Sequence, residues 1–175
     1  QQITGSVIAD VNFKDLNTGI VITSGISASK TTNGGINFTA VNFTSNGAIH
    51  GAAIAPTNGT IFYILGTDNT NDSTFIFKST NAGNSWSQVF RTPGFYFAIN
   101  FISLTTGIMC GDQGVIKRTT DAGLTWTTIP SGTTNDLLGI QFISSSKVYI
   151  SGQTGTILKS TNAGLNWVQQ VSNTT

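Results

Sequence analysis

Hydrophobic and polar residues alternate with a period of two in short stretches of this 175-residue chain. Phe97, Ile99 and Phe101 form one such stretch, and Leu138, Ile140 and Phe142 form another. Alternation of this kind sends successive side chains to opposite sides of an extended backbone, so each stretch predicts a half-buried strand. A β-rich run follows each, "GIMCG" in one case and "KVYISG" in the other, and then a glycine turn, "GDQG" or "GQTG". A third run, "VIKRT" or "TILKS", leads into a polar phrase, and a fourth strand opens on tryptophan, "WTTIP" or "WVQQV". The predicted unit is four short antiparallel strands joined by turns.

The unit recurs along the chain. The polar phrase reads "KTTNGGINF" at 30–38, "KSTNAGNSW" at 78–86, "RTTDAGLTW" at 118–126 and "KSTNAGLNW" at 159–167. Its closing aromatics, Phe38, Trp86, Trp126 and Trp167, are 48, 40 and 41 residues apart. Upstream, "VNFKDLNTGIVITSG" (11–25), "INFISLTTGIMCGDQG" (99–114) and "IQFISSSKVYISGQTG" (140–155) match one another, and "IAPTNGTIFYILG" (54–66) is a looser version. One four-stranded meander cannot cover its own apolar face. Stacking such sheets around an axis buries face against face and leaves only short edges. The chain is therefore expected to be all-β, a single β-propeller domain over 1–175 with blades at approximately 5–44, 45–90, 91–131 and 132–175. A linear β-solenoid is the alternative, with a shorter repeat and parallel strands. Four blades fit a closed four-bladed ring, half of an eight-bladed dimer, or a fragment of a larger propeller.

The phrase has turn chemistry. Its Ser or Thr (Thr31, Ser79, Thr119, Ser160) and its Asn or Asp (Asn33, Asn81, Asp121, Asn162) are expected to accept hydrogen bonds from backbone N–H groups, the latter from one to three residues on. Gly35, Gly83, Gly123 and Gly164 are expected at positive φ. Phe38, Trp86, Trp126 and Trp167 start the next strand and cover the turn. The one aspartate needs only to be an oxygen acceptor, which asparagine also is.

This phrase resembles the Asp-box, or BNR repeat, of sialidases and related propellers. The fuller unit resembles the photosystem II stability/assembly factor-like propeller repeat. The resemblance spans nearly the whole chain and implies a propeller whose boxes are peripheral turns, remote from any catalytic centre. It does not imply one function, because such repeats occur in enzymes, receptors and assembly factors alike.

Composition narrows the classes. Only 9% of residues are charged, so the polar surface consists of Thr, Ser, Asn and Gln, which predicts a secreted or cell-surface protein. The opening "QQITGS" reads as a mature N-terminus after signal removal or as a cloning boundary. The net charge of +1 comes without a basic stripe, so no nucleic-acid partner is expected. No apolar run reaches the roughly 20 residues of a membrane span, so no membrane insertion is expected. All seven acids are Asp and there is no Glu. A sialidase of the resembled family would need an arginine cluster and a Tyr/Glu pair, whereas this chain has only Arg91 and Arg118.

No catalytic residue and no cofactor are assigned. Other glycosidases set two carboxylates across the scissile bond. Asp10, which aligns with Gly51, Ala98 and Gly139 near the expected central channel, and Asp136 are the candidates. The plainer alternative has Asp136 capping a turn and Asp10 on a solvated strand. Cys110 is expected to be a small buried hydrophobe, and His50, aligned with Phe97 and Leu138, a core or channel histidine. No metal site is assigned. Asp68 and Asp72, with Asn69 and Asn71 in "GTDNTNDST", supply hard oxygens suited to Ca²⁺, against the alternative of a solvated hairpin tip. For binding, "FRTPGFYF" offers Arg91, Phe95 and Tyr96 as a rim for a sugar or a protein, the alternative being that Phe95 and Phe97 are core and only Tyr96 is partly exposed. The expectation is a non-catalytic module for protein recognition, adhesion or self-assembly, with a protein partner or a homo-oligomer. A carbohydrate-binding or glycosidase-like module is the alternative, which keeps a glycan possible.

Overall fold

The computed structural model describes residues 8–23, 27–41, 48–54, 59–68 and 70–172, without the side chains of residues 50 and 52–54. Asn69 and the His50 side chain lie outside the described residues, as do parts of the predicted outer blade limits. The chain divides into two compact units, Gln1–Pro93 and Gly94–Thr175.

The first unit contains β1 (Ile8–Phe13), β2 (Gly19–Thr23), β3 (Ser27–Thr31) and β4 (Thr39–Ala40), then β5 (Ile49–Ile54), β6 (Phe62–Asp68), β7 (Ser73–Ser79) and β8 (Ser87–Pro93). The second contains β9 (Tyr96–Phe101), β10 (Gly107–Gly111), β11 (Ile116–Thr119) and β12 (Thr127–Ile129), then β13 (Leu137–Phe142), β14 (Val148–Gly152), β15 (Ile157–Ser160) and β16 (Val168–Gln170). Each consecutive set of four forms one antiparallel sheet, in chain order. The protein is an all-β propeller of four-stranded blades, and antiparallel pairing throughout removes the solenoid. No α-helix occurs among the described residues; the "GDQG" turn carries one 3₁₀ turn, Asp112–Gly114.

Burial follows strand order. The second strands β2, β6 and β10 are buried on both faces, which is why they read as unbroken apolar runs. In β9 and β13 the alternating apolar residues face the core: Ile99 and Phe101 are buried, and Ile140 and Phe142 pack against the buried cluster. In the first unit, Ile20, Ile22 and Ala28 of the first blade pack with Ile49, Ile64, Phe75 and Phe77 of the second. In the second unit, Ile108, Cys110 and Ile116 of the third blade pack with Leu137, Val148, Ile150 and Leu158 of the fourth. Within each unit the two first strands lie beside one another, β1 with β5 and β9 with β13.

Two details of the repeat become physical here. Every first strand carries a register shift near its start, between Ile8 and Asp10, Ile49 and Gly51, Tyr96 and Ala98, and Leu137 and Gly139. The extra residues are Ala9, His50, Phe97 and Leu138, so the sequence alignment of His50 with Phe97 and Leu138 marks a shared bulge. The glycine ending the second strand makes room beside it. The Asp112 N–H donates to the Phe95 carbonyl at 3.0 Å and the Gln153 N–H to the Asp136 carbonyl at 2.8 Å. A Cβ on Gly111 would sit 2.0 Å from the Phe95 oxygen, and one on Gly152 would sit 2.4 Å from the Asp136 oxygen.

Candidate functional site

Each blade has two ends. One carries the polar phrase and the loop between first and second strands. The other carries the hairpin between second and third strands and the link into the blade.

The phrase end is built identically four times. Thr31, Ser79, Thr119 and Ser160 are buried, and each hydroxyl oxygen accepts the N–H of the glycine four residues on, at 2.8–3.0 Å. Each hydroxyl donates in turn to the Asn or Asp side chain two residues on, at 2.8–3.1 Å. That side chain accepts the N–H of the residue four ahead, namely Asn37, Ser85, Thr125 or Asn166. Its reach therefore exceeds the one to three residues expected from sequence. Gly35, Gly83, Gly123 and Gly164 hold φ between +81° and +89°, as expected. Trp86 and Trp126 donate from Nε1 to the carbonyls of Gly83 and Gly123 at 3.1 Å.

Sequence reasoning missed two features of the phrase. The residue before the glycine is also left-handed: Gly34, Ala82, Ala122 and Ala163 have φ from 55° to 69°. For alanine this conformation costs about 1 kcal/mol. Each of these residues donates its N–H to the first loop of its own blade, onto Asn17, Thr60, Thr105 or Ser146 O, at 2.7–2.9 Å. The signal was present, since only Gly and Ala occur there. The second feature is the basic residue that opens the phrase. Lys30 donates from Nζ to Asn84 Oδ1 at 2.8 Å, and Arg118 from Nε to the Ala163 carbonyl at 2.9 Å. In both units it crosses from one blade to the phrase of the next, and a Cβ on Gly164 would meet Ile108 Cδ1 of the preceding blade at 2.3 Å. The phrase is a blade-to-blade dock as well as a turn.

Asp121 differs from its asparagine counterparts by charge. Thr125 Oγ1 donates to its Oδ2 at 2.6 Å, and the Thr125 and Leu124 N–H groups to its Oδ1 at 2.9 and 3.1 Å. The Thr125 hydroxyl first, then these N–H groups, hold its pKa down at about 2. A folded-state pKa below the unfolded one stabilises above pH ~4, and the gain is lost as pH falls towards 2. Asn81 keeps the contact in reverse, donating from Nδ2 to Ser85 Oγ at 2.9 Å. Asp121→Asn should therefore lower the melting temperature at pH 7 by no more than about 4 °C, since the group is solvent-screened. In thermal melts from pH 7 to pH 2 the difference from wild type should close; a constant difference would sink this account.

The opposite end holds the candidate binding residues. Arg91 lies in the first unit, which ends at Pro93, whereas Phe95 and Tyr96 lie in the second, so the two compact units divide this set. Arg91 donates from Nη2 to Asp68 Oδ2 at 2.6 Å and from Nε to Ser73 Oγ at 3.0 Å. Tyr96 is only 2% exposed, and burial together with the charge of Asp112 pushes its pKa up to about 12. This corrects the expectation of Tyr96 as the accessible aromatic; Phe95 and Phe97 are the half-buried ones. Asp68 is likewise not on a solvated tip. It is 4% exposed, and its carboxylate takes Arg91, Asn71 Nδ2 and the Thr70 N–H, bonds that lower its pKa, led by Asn71. A cation at Asp68 and the exposed Asp72 would have to displace the guanidinium.

The remaining candidates serve the scaffold. Asp136 Oδ1 accepts the Gln113 N–H at 3.0 Å, so it caps the hairpin of the preceding blade rather than a turn of its own. Asp10 Oδ1 accepts the N–H of Val11 at 2.8 Å. The two acids lie in different compact units. Cys110 is fully buried with Sγ 3.5 Å from the Leu137 carbonyl, and burial raises its pKa, keeping the thiol protonated. At the hairpin end of the third blade an open groove of about 710 Å³ runs beside edge strand β12, lined by Gln113, Val115, Thr128, Ile129, Ser131 and Thr133.

Comparison with known proteins places these features in a family. The family model described as photosynthesis system II assembly factor YCF48 matches residues 2–135. Among curated proteins none matches the sequence. Among solved structures, YCF48 bound to D1 peptide is similar with a TM-score of 0.66 at 15% identity, over 98% of this chain and 83% of that one. YCF48 from Cyanidioschyzon merolae gives 0.75 at 16% identity, over 100% of this chain and 59% of the other. The GH74 enzyme of Niastella koreensis gives 0.78 at 20% identity, over 97% of this chain and 30% of the enzyme. The chain thus spans less than two thirds of the latter two, and likeness at these identities speaks for the fold.

Proposed function

Because the chain belongs to the family of the photosynthesis system II assembly factor YCF48, we propose that it is a non-catalytic propeller module that recognises a segment of another protein or a further copy of itself. The observation that carries the non-catalytic half is the use made of its acids. Asp10, Asp15, Asp68, Asp121 and Asp136 each accept backbone N–H groups of their own or a neighbouring loop or strand. Carboxylates engaged in this way hold the scaffold, whereas hydrolysis needs two facing one cleft. The recognition half draws support from the peptide-bound relative and from the groove beside β12. The hydroxyls and aliphatic side chains lining the groove suit the side chains of an extended peptide. The proposal includes an exported setting, supported by the low-charge Thr/Ser/Asn surface, and one domain made by the two units together. Phe95 is its remaining aromatic rim candidate. The runner-up, a glycan-binding or glycosidase-like module, draws on the GH74 likeness.

Selection from a phage-displayed 12-residue peptide library, followed by fluorescence anisotropy of the enriched peptides, tests the proposal. Micromolar binding is expected, weakened at least about tenfold, or 1.4 kcal/mol, by Ser131→Trp, which fills the groove. Hydrolysis of aryl glycosides or soluble β-glucans above the buffer rate would replace this function with the enzymatic one.

A further inference from the structure

The first unit holds a further concave site, at the end of its blades that carries the polar phrases. A pocket of about 360 Å³ opens where the phrase of the first blade meets that of the second. Lys30, Thr32, Asn33, Asn37, Thr39 and Asn84 line it together with small apolar residues, and no acid is among them. That volume is at the small end of ligand pockets, room for one ring rather than an extended segment.

Lys30 gives the pocket its charge. An ammonium has three N–H donors and no acceptor. One of them goes to Asn84 Oδ1 at 2.8 Å. Among the described residues no acid pairs with Lys30, and the nearby Lys14 is itself paired with Asp15 at 3.3 Å. Burial first, then the charge of Lys14, lowers the Lys30 pKa, the mark of a cation with no anion beside it. The other five side chains are amides and hydroxyls, which both donate and accept. Asn33 and Asn84 use Oδ1 for their phrase and for Lys30, which leaves each Nδ2 group as a donor. The second unit is built otherwise at the equivalent places. Arg118 stands for Lys30, but Asp121 stands for Asn33 and Leu165 for Asn84, so that phrase carries its own carboxylate.

We propose that this pocket binds a sugar acid of the hexuronate class, with its carboxylate on Lys30 and its ring hydroxyls on the asparagines and threonines. One uncompensated cation matches one carboxylate, whereas a phosphate would bring up to about two charges. Side chains that both donate and accept suit ring hydroxyls, which do the same. With no carboxylate in the lining to act on a glycosidic bond, the site binds and does not hydrolyse. The pocket lies in the first unit and the groove beside β12 in the second, so this site goes beyond peptide recognition, and either can fail without the other.

Titration of the isotope-labelled chain with D-glucuronate, followed by amide chemical shifts, tests the proposal. D-glucose probes the neutral ring, and N-acetylaspartate methylamide probes an acidic peptide side chain. No aromatic ring lines the pocket to stack on, so the dissociation constant for D-glucuronate should be about 1 mM, at least about tenfold below that of either control. The shifts should centre on residues 30–41 and 83–84. Asn33→Asp should stay folded, since Asp121 fills the same place in the third blade, and should weaken D-glucuronate at least about tenfold. Lys30→Met should remove the preference over D-glucose, with thermal melts to confirm that both variants fold. D-glucose binding as tightly as D-glucuronate would overturn the proposal, as would D-glucuronate binding undiminished in folded Asn33→Asp. Equal binding of the aspartate probe would also overturn it, by assigning the pocket to acidic peptides.

Discussion

Gly111→Ala should cost about 2–5 kcal/mol, read as a loss in the urea midpoint, although alanine is the mildest replacement a glycine can receive. The added Cβ would lie 2.0 Å from the Phe95 carbonyl oxygen and 2.6 Å from Tyr96 Cα, both backbone atoms. No rotamer change relieves such a contact. The backbone must move, which breaks the hydrogen bond from the Asp112 N–H to Phe95 and disturbs the bulge opening β9. The φ of Gly111 is −165°, outside the left-handed region, so no positive-φ strain contributes and the close approach dominates. Gly132→Ala is the control. That glycine has φ +81°, but a Cβ added there would meet nothing within 4 Å, so only the left-handed penalty of about 1 kcal/mol remains. Equal losses for the two substitutions would show that close approach does not explain the glycine at Gly111.

Gly164→Val should be of similar size, about 3–5 kcal/mol, from two causes that add. The residue sits at φ +83°, where a β-branched side chain is strained, and its Cβ would press on Ile108 Cδ1 at 2.3 Å. The substitution therefore attacks the turn and the docking of the fourth blade on the third together. Pairing it with Ile108→Ala separates the two, because a smaller neighbour relieves the clash and leaves the φ strain. A double variant less stable than the sum of the singles would contradict this division.

The chain's fold was legible because one unit is written four times. Period-two alternation located the first strands, and the aromatic spacing gave the repeat. The glycines at positive φ were legible from turn chemistry. Long-range contacts were not. Arg118 reads as a surface cation until the blade carrying Ala163 is set beside it, and Asp136 reads as a local cap until the preceding blade's Gln113 arrives. Tyr96 and Asp68 mislead for a related reason. Hydropathy and polarity describe a side chain, whereas exposure depends on what packs against it, here a buried strand opening for Tyr96 and the Arg91 guanidinium for Asp68. The groove beside β12 had no motif to announce it, since its lining is ordinary serine, threonine and backbone.

The outer strands have a consequence for solubility. An edge strand displays unpaired backbone groups that recruit other edges and seed aggregates. Three of the four outer strands, β4, β12 and β16, are two or three residues long and offer almost no template. β8 is the exception at seven residues. It carries its own protection: a register shift opposite Ile76 and Phe77, the charged Arg91 held by Asp68, and a terminal Pro93 with no N–H to donate. The arginine that the sequence offers to a ligand rim thus also serves as a gatekeeper against edge-to-edge association.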